Sequence, residues 1–382
     1  METSSRSPSF GAVSVRIPAL EGLRGFAFLA VHFFHTKIYG PALGVHPMSR
    51  ALGYFGEMGW AGVDLFFVLS GFLITGILLR QVGTPGWVGR FYVRRSVRIL
   101  PIYYLVLVAS VWVLPAVVNW TMEYALVPRA NFVWYATFLH NWLNWGANGW
   151  PEGDQLIGQL WSLGVEEQFY LVWPALVALV GFRRLPAVAV GFVLGAPLLR
   201  MALIGSGLTY DAVYALTICR VDALAAGGLI ALLKEQGKLP SLRTAWAMIA
   251  AGALLFFLTP LVTSGYEHPF RDQLNAAAFS WGLLQWCGLL VIALRSGPVG
   301  TMLEWKPLRF VGFYSYTLYL VSFPITMVAG VYWKKFLGPW STWGQLGFFG
   351  FTLLFSLAIA WISWHLLEKR LLNIAGKAPE FR

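Results

Sequence analysis

Hydrophobic positions in this chain come in long unbroken runs, not in the narrow stripes of a surface helix or the alternation of a half-buried strand. Ten runs of about 20 residues, the length that crosses the hydrocarbon core of a bilayer, lie at 17–37, 57–79, 99–118, 161–182, 187–204, 212–233, 244–263, 276–294, 309–330 and 344–366. Pro and Gly inside several of them are compatible with membrane helices, where neighbouring helices satisfy the freed backbone groups. The expected fold is an all-α integral membrane protein, a bundle of ten transmembrane helices. The longest break, 119–160, contains NFVWYATFLHNWLNWGANGW. It is too aromatic for a solvated linker and is expected to lie at the interface or fold back over the bundle as a lid.

Charge supports this division and adds an orientation. Only 12% of the 382 residues are charged, about half the share in a soluble domain, and the net charge is +11. The cations sit in the short joints between apolar runs, a pattern of membrane topology and not of a nucleic-acid groove. With the N-terminus inside, nineteen Lys and Arg fall on the inner side and six on the outer. That asymmetry places both termini in the cytoplasm and requires an even number of crossings. The expected location is a bacterial cytoplasmic membrane, with cytoplasmic tails at 1–16 and 372–382 around one transmembrane domain at 17–371. The opening METSSRSPSFGAVSVR has no apolar core ahead of a small-residue cleavage site, so no cleavable signal is expected. Cys219 and Cys287 lie in apolar stretches without the spacing of a metal knuckle and read as structural thiols.

The chemistry is expected where ionisable residues enter these runs, because a mid-membrane charge costs on the order of 2.5–3.5 kcal/mol and normally lines a polar interior. Arg24 and His35 stand eleven residues apart in IPALEGLRGFAFLAVHFFH. On a helix that spacing returns to nearly the same face, about 16 Å further along. His35 is the leading nucleophile or general base, with an interfacial histidine at a helix end as the plain alternative; His32, one turn away, reads as structural. Asp64 is the sole carboxylate of GWAGVDLFFVLSGFLIT in the second run. Its expected depth near His35 fits an acid that orients the imidazole. Glu166 shares a helix face with Tyr170 and Ser162 and is expected at the depth of His35 and Asp64 as a third catalytic group, whereas Glu167 reads as a capping or interfacial residue. Arg95 and Arg98, three residues apart in FYVRRSVRILP, form a fork suited to phosphates on the cytoplasmic side; plain topological anchoring is the alternative. The chain has no HExxH, P-loop, GxSxG or strand-linked GxGxxG, so metal and nucleotide-hydrolysis mechanisms have no support.

The stretches IPALEGLRGFAFLAVHFFH, GVDLFFVLSGFLIT, FYVRRSVRILPIYY, LWSLGVEEQFYLVWP, RVDALAAGGLIALL, YSYTLYLVSFPI and WHLLEKRLL run from near residue 17 to near 371. Together they resemble the membrane-bound acyltransferase family 3, which includes bacterial O-antigen and exopolysaccharide O-acetyltransferases and macrolide acyltransferases. The resemblance implies that Arg24 and His35 form the family's Arg-x10-His signature, with His35 essential for acyl transfer, and that Arg95 and Arg98 match the RxxR motif that engages acyl-CoA from the cytoplasm. It places Asp64 in the GVDxFFVLSGF block, Trp161, Ser162 and Glu166 in the WSLxxEEQFY block, and Glu368 at a glutamate after the last helix. Two departures stand out: Ser322 occupies a position where many members carry histidine, and Glu368 is flanked by Lys369 and Arg370, so a helix-end ion pair explains it equally well.

The combined expectation is an O-acyltransferase that binds acyl-CoA, with acetyl as the default group, through Arg24, Arg95 and Arg98, and acylates a glycan or glycosylated lipid at the outer face. No bound cofactor is expected. The alternatives are an acyltransferase for a small secondary metabolite such as a macrolide sugar, and a non-catalytic carrier of lipid-linked sugars. The carrier reading is opposed by the lack of an inverted repeat or paired discontinuous helices.

Overall fold

The computed structural model describes residues 17–36, 56, 58–114, 131–150, 156–262, 273–295, 297–337 and 342–375. The expected N-terminal tail and residues 376–382 of the expected C-terminal tail therefore lie outside the described residues. All regular structure among the described residues is helical. The main helices are α1 (Pro18–Thr36), α2 (Gly62–Gln81), α3 (Trp87–Val108), α4 (Trp161–Gly205), α5 (Thr217–Glu235), α6 (Leu242–Val262), α7 (Gln273–Leu294), α8 (Lys306–Phe313), α9 (Ser315–Leu337) and α10 (Thr342–Ser363). Five helical stretches among the described residues are long and apolar enough to cross a membrane: Met58–Gln81, Trp87–Val113, Gly158–Gly205, Ser315–Trp333 and Gly344–Ile374. α1 and α5 are not among them. Each carries charge within its length, Glu21 and Arg24 in α1 and Arg220 and Asp222 in α5; Glu21, Arg220 and Asp222 are buried, and Glu21 pairs with Arg309 at 3.3 Å.

The runs 161–182 and 187–204 fall on either side of a break in α4 at Gly181, whose φ 68° and ψ 162° suit a residue without a β-carbon. One boundary differs from the hydropathy pattern for a physical reason. α3 begins at Trp87, twelve residues before the apolar run at 99, so Arg90, Arg94, Arg95 and Arg98 lie on the helix and not in a loop ahead of it. Hydropathy starts a span where charge stops; helix geometry continues wherever the charged face finds a polar interior.

Small residues set the closest helix contacts, as expected where lipid gives no hydrophobic drive to helix pairing. α2 and α5 touch backbone to backbone: a β-carbon on Gly71 would come 1.8 Å from the Leu224 carbonyl oxygen, and one on Gly227 would come 1.9 Å from that of Val68. α1 meets α8 in the same way, with Gly25 against the Leu308 carbonyl and Gly312 against that of Glu21. These glycines flank Arg24 and fix its height. Gly71→Leu or Gly227→Leu should therefore lower the melting temperature in detergent sharply, since backbone must move, an overpacking cost of roughly 1–3 kcal/mol or more. Gly76→Ala should be tolerated, because its nearest neighbour would be the flexible Arg80 guanidinium at 3.8 Å. Equal melting temperatures for Gly227→Leu and Gly76→Ala would refute the close crossing.

The aromatic segment folds back over the bundle in its described part, 131–150. Gln168 of α4 donates to the Phe138 carbonyl at 2.7 Å and to Asn141 Oδ1 at 2.8 Å, and accepts from Trp142 Nε1 at 3.0 Å and Thr217 at 2.6 Å. Asn141, fully buried, donates to the Ala215 carbonyl. The rest of the segment, at 119–130 and 151–155, lies outside the described residues. Cys219 and Cys287 are buried free thiols in α5 and α7.

Candidate active site

α9 is the spine of the polar interior. Its first residue, Ser315, accepts a hydrogen bond from Arg24 Nε of α1 at 3.1 Å. Tyr316 donates to the Ile99 carbonyl, beside Arg98, at 2.8 Å. Thr317 donates to Glu368 at 2.8 Å, and Ser363 donates to the same carboxylate oxygen at 2.8 Å. One turn further, Tyr319 shares a hydrogen bond of 2.6 Å with Ser162 and donates to the Gln159 carbonyl at 3.0 Å. Another turn on, the Phe323 ring packs against His35 with ring centroids 4.5 Å apart. α1 and α9 thus run side by side in the same sense, Arg24 level with Ser315 and His35 level with Phe323.

Around Arg24 the structure assembles a cluster of charge. The Arg95 guanidinium lies over the Tyr170 ring, 3.8 Å from its centroid. Tyr170 donates to Glu166 at 2.9 Å and shares a short hydrogen bond with Ser70 of α2. Arg24 is in electrostatic reach of Glu166, Tyr170 and Arg95, and Arg98 of Arg24, Arg95, Tyr170 and Glu368. Arg98 is exposed, whereas Arg24, Arg95 and Glu166 are half-buried and Tyr170 is buried. The group brings together Arg24, Arg95, Arg98, Glu166, Tyr170 and Glu368, which the sequence separates by as much as 344 residues.

This grouping corrects two expectations. Glu166 is expected at the depth of His35 but joins Tyr170 and the arginines, since the hydrogen bond from Tyr170 draws its carboxylate one turn along α4. Arg95 and Arg98, expected on the cytoplasmic side apart from Arg24, stand in one group with it.

Asp64 is a third correction. The sequence places it beside His35 as the orienting acid. In the structure its carboxylate is ion-paired with Arg220 of α5, both side chains 5% exposed or less. The Arg220 guanidinium is also ringed by Tyr214 at 4.9 Å and by Phe67 and Trp161, each at 5.6 Å. Trp161 is therefore a wall of this ion pair. A second buried pair, Arg200 with Asp222 at 2.8 Å, is tied by Ser280 at 2.6 Å and 2.8 Å. Sequence reasoning missed Arg200, Arg220 and Asp222 as a set. The signal was present, since isolated charges inside apolar runs must find partners.

His32 is fully buried, stacks on Phe28 at 5.6 Å and lies 3.2 Å from the Thr352 hydroxyl. It fits the structural role expected of it. Ser322 is buried, and its carbonyl accepts from Thr326 at 2.8 Å. Among the described residues no group of three His, Cys, Asp or Glu side chains is placed to hold a metal ion.

What this arrangement offers is a guanidinium cluster at one level of a helical bundle and an imidazole at another, joined along α9. The acyltransferase domain family matches residues 17–365. The chain belongs to this acyltransferase family. It is 31% identical over 336 residues to the putative peptidoglycan O-acetyltransferase YrhL of Bacillus subtilis, covering 82% of this chain and 49% of that protein. It is 30% identical over 327 residues to the peptidoglycan O-acetyltransferase OatA of Listeria monocytogenes, covering 81% of this chain and 49% of that protein. The O-acetyltransferase OatA of Staphylococcus aureus is 25% identical over 390 residues, 96% of this chain and 58% of its own length. The chain thus spans about half the length of the Bacillus and Listeria relatives. No solved structure matches it.

Proposed function

We propose that this protein is a membrane O-acyltransferase that carries an acyl group, acetyl by default, from cytoplasmic acyl-CoA to a hydroxyl of a cell-envelope glycan on the far side. In this reading the chain crosses a bacterial cytoplasmic membrane ten times with both termini inside, in keeping with its Lys and Arg asymmetry. The observation that carries the reading is the pairing of Arg24, Arg95 and Arg98 in one cluster with His35 on the same helix as Arg24.

Arg98, Arg95 and Arg24 together hold the phosphates of the donor. Planar guanidinium forks suit that task, giving charge-assisted bidentate contacts to phosphate oxygens. The donor arm then follows α9 toward Phe323 and brings the thioester to His35. His35 takes the proton of the acceptor hydroxyl as its oxygen forms a bond to the acyl carbon, and the C–S bond breaks. The imidazolium returns the proton to the departing thiolate. If His35 instead takes the acyl group first as an acyl-imidazole, it must occupy the same place. Asp64 serves Arg220 in this reading, and Glu166 and Glu368 hold the guanidinium cluster from two sides. A carbohydrate acceptor is favoured over a small metabolite by the relatives in Bacillus and Listeria, which are named peptidoglycan O-acetyltransferases.

Sealed inside-out vesicles test the sidedness. Acyl-CoA added outside should acylate a glycan trapped in the lumen. Acylation only of an acceptor on the CoA side would overturn transfer across the membrane and leave the acyltransferase reading standing.

A further inference from the structure

Between the guanidinium cluster and His35 lies a side chain that the reaction as described does not use. Gln159 occupies the short turn Gly158–Leu160 that leads into α4. It is 6% exposed. Its backbone carbonyl is held by Ser162 at 3.2 Å and by Tyr319 at 3.0 Å, so the turn is fixed from two helices. Its side-chain N–H group donates to the Leu320 carbonyl at 3.4 Å. That carbonyl is free because Pro324, four residues on within α9, has no N–H to give it. The amide is thus turned to a definite orientation by the proline break. Its oxygen, Oε1, is buried with no hydrogen-bond partner among the described residues.

A buried amide oxygen left unpaired costs roughly 1–3 kcal/mol, so native proteins seldom leave one without a partner. The position of this one is informative. Along α9, Ser315 marks the level of Arg24 and Phe323 that of His35, about 12 Å apart by helix rise. Leu320, where Gln159 attaches, lies between them. A donor whose phosphates sit at the arginines and whose thioester reaches His35 must run its pantetheine arm through this interval. That arm carries secondary amides, and each N–H taken out of water needs an acceptor.

We propose that Oε1 of Gln159 accepts a hydrogen bond from an amide N–H of the donor's pantetheine arm, making Gln159 a donor-binding residue that sets the reach of the thioester to His35. The inference rests on the acyl-CoA reading above, and its test separates the two. Binding of coenzyme A and of adenosine 3′,5′-bisphosphate, which has phosphates but no arm, is measured on protein in nanodiscs. In the wild type both ligands should bind. Gln159→Leu should weaken coenzyme A about five- to tenfold, the loss of one buried amide hydrogen bond, and leave the bisphosphate unchanged. Gln159→Met, unbranched and flexible enough to fill the same space, should do the same and guards against misfolding of the first variant. Unchanged coenzyme A binding in either folded variant, or equal weakening of both ligands, would overturn the role of Gln159. A wild type that binds neither ligand would overturn the donor reading itself, and this inference with it.

Discussion

His35→Ala should yield protein at wild-type level in the membrane, with normal melting behaviour and acyl transfer reduced by about 10²- to 10⁴-fold, the usual contribution of a positioned general base. The ring is half-buried at the end of α1 and meets Phe323 and Phe34. Its removal leaves a small apolar residue at the end of an otherwise intact helix. Asp64→Asn should fail in the opposite way. Breaking a buried ion pair by removing one partner costs about 3–5 kcal/mol, because the remaining Arg220 charge is stranded. That variant should lose folded protein first and activity only as a consequence. The measurement is specific activity per folded molecule, with quantity and folding read by size exclusion. If His35→Ala keeps full specific activity, the imidazole is not the base. If Asp64→Asn is stable and inactive, Asp64 acts in the reaction and not as the partner of Arg220.

How far the sequence could be read depends on the range of the information each feature needs. The Arg24–His35 stripe and the Glu166–Tyr170 pair follow from helix period alone and require no knowledge of neighbours, and the 2.9 Å hydrogen bond between the latter two is there. The segment around NFVWYATFLH announces by its aromatic content that it packs, and its described part does. The Asp64–Arg220 pair spans 156 residues. It exists because α2 crosses α5 at Gly71 and Gly227, and no local pattern says which two helices will meet. RVDALAAGG held both the cation and the glycines of that crossing, so a search for small residues opposite unpaired charges was the available clue. The grouping of Arg95 and Arg98 with Arg24 is hidden from hydropathy for a related reason. A charged helix face toward a polar interior and one toward water look alike in hydropathy, and only the facing Tyr170, Ser70 and Glu166 tell them apart.

Those facing residues decide the effect of changing the arginines. Arg95→Gln combined with Arg98→Gln should lower kcat/KM for acyl-CoA by about 10²-fold or more, since each lost charge-assisted contact is worth about 1.5–3 kcal/mol. The dependence on acceptor concentration should change little, because in the proposed reaction the acceptor meets the enzyme at the level of His35. Single lysine substitutions refine this. Arg95 lies flat over the Tyr170 ring at 3.8 Å, a stacking that a compact ammonium cannot reproduce. Arg95→Lys should therefore resemble Arg95→Gln in its acyl-CoA dependence. Arg98 stacks on no ring among the described residues, and Arg98→Lys should retain most activity. Because cations at this end of α3 also bear on topology, orientation is checked with reporter fusions at each end of the helix. A correctly oriented double variant with unchanged acyl-CoA dependence would place the donor phosphates elsewhere. Equal tolerance of lysine at both positions would reduce the cluster to a field of charge without the geometry that Tyr170 and Glu166 impose on it.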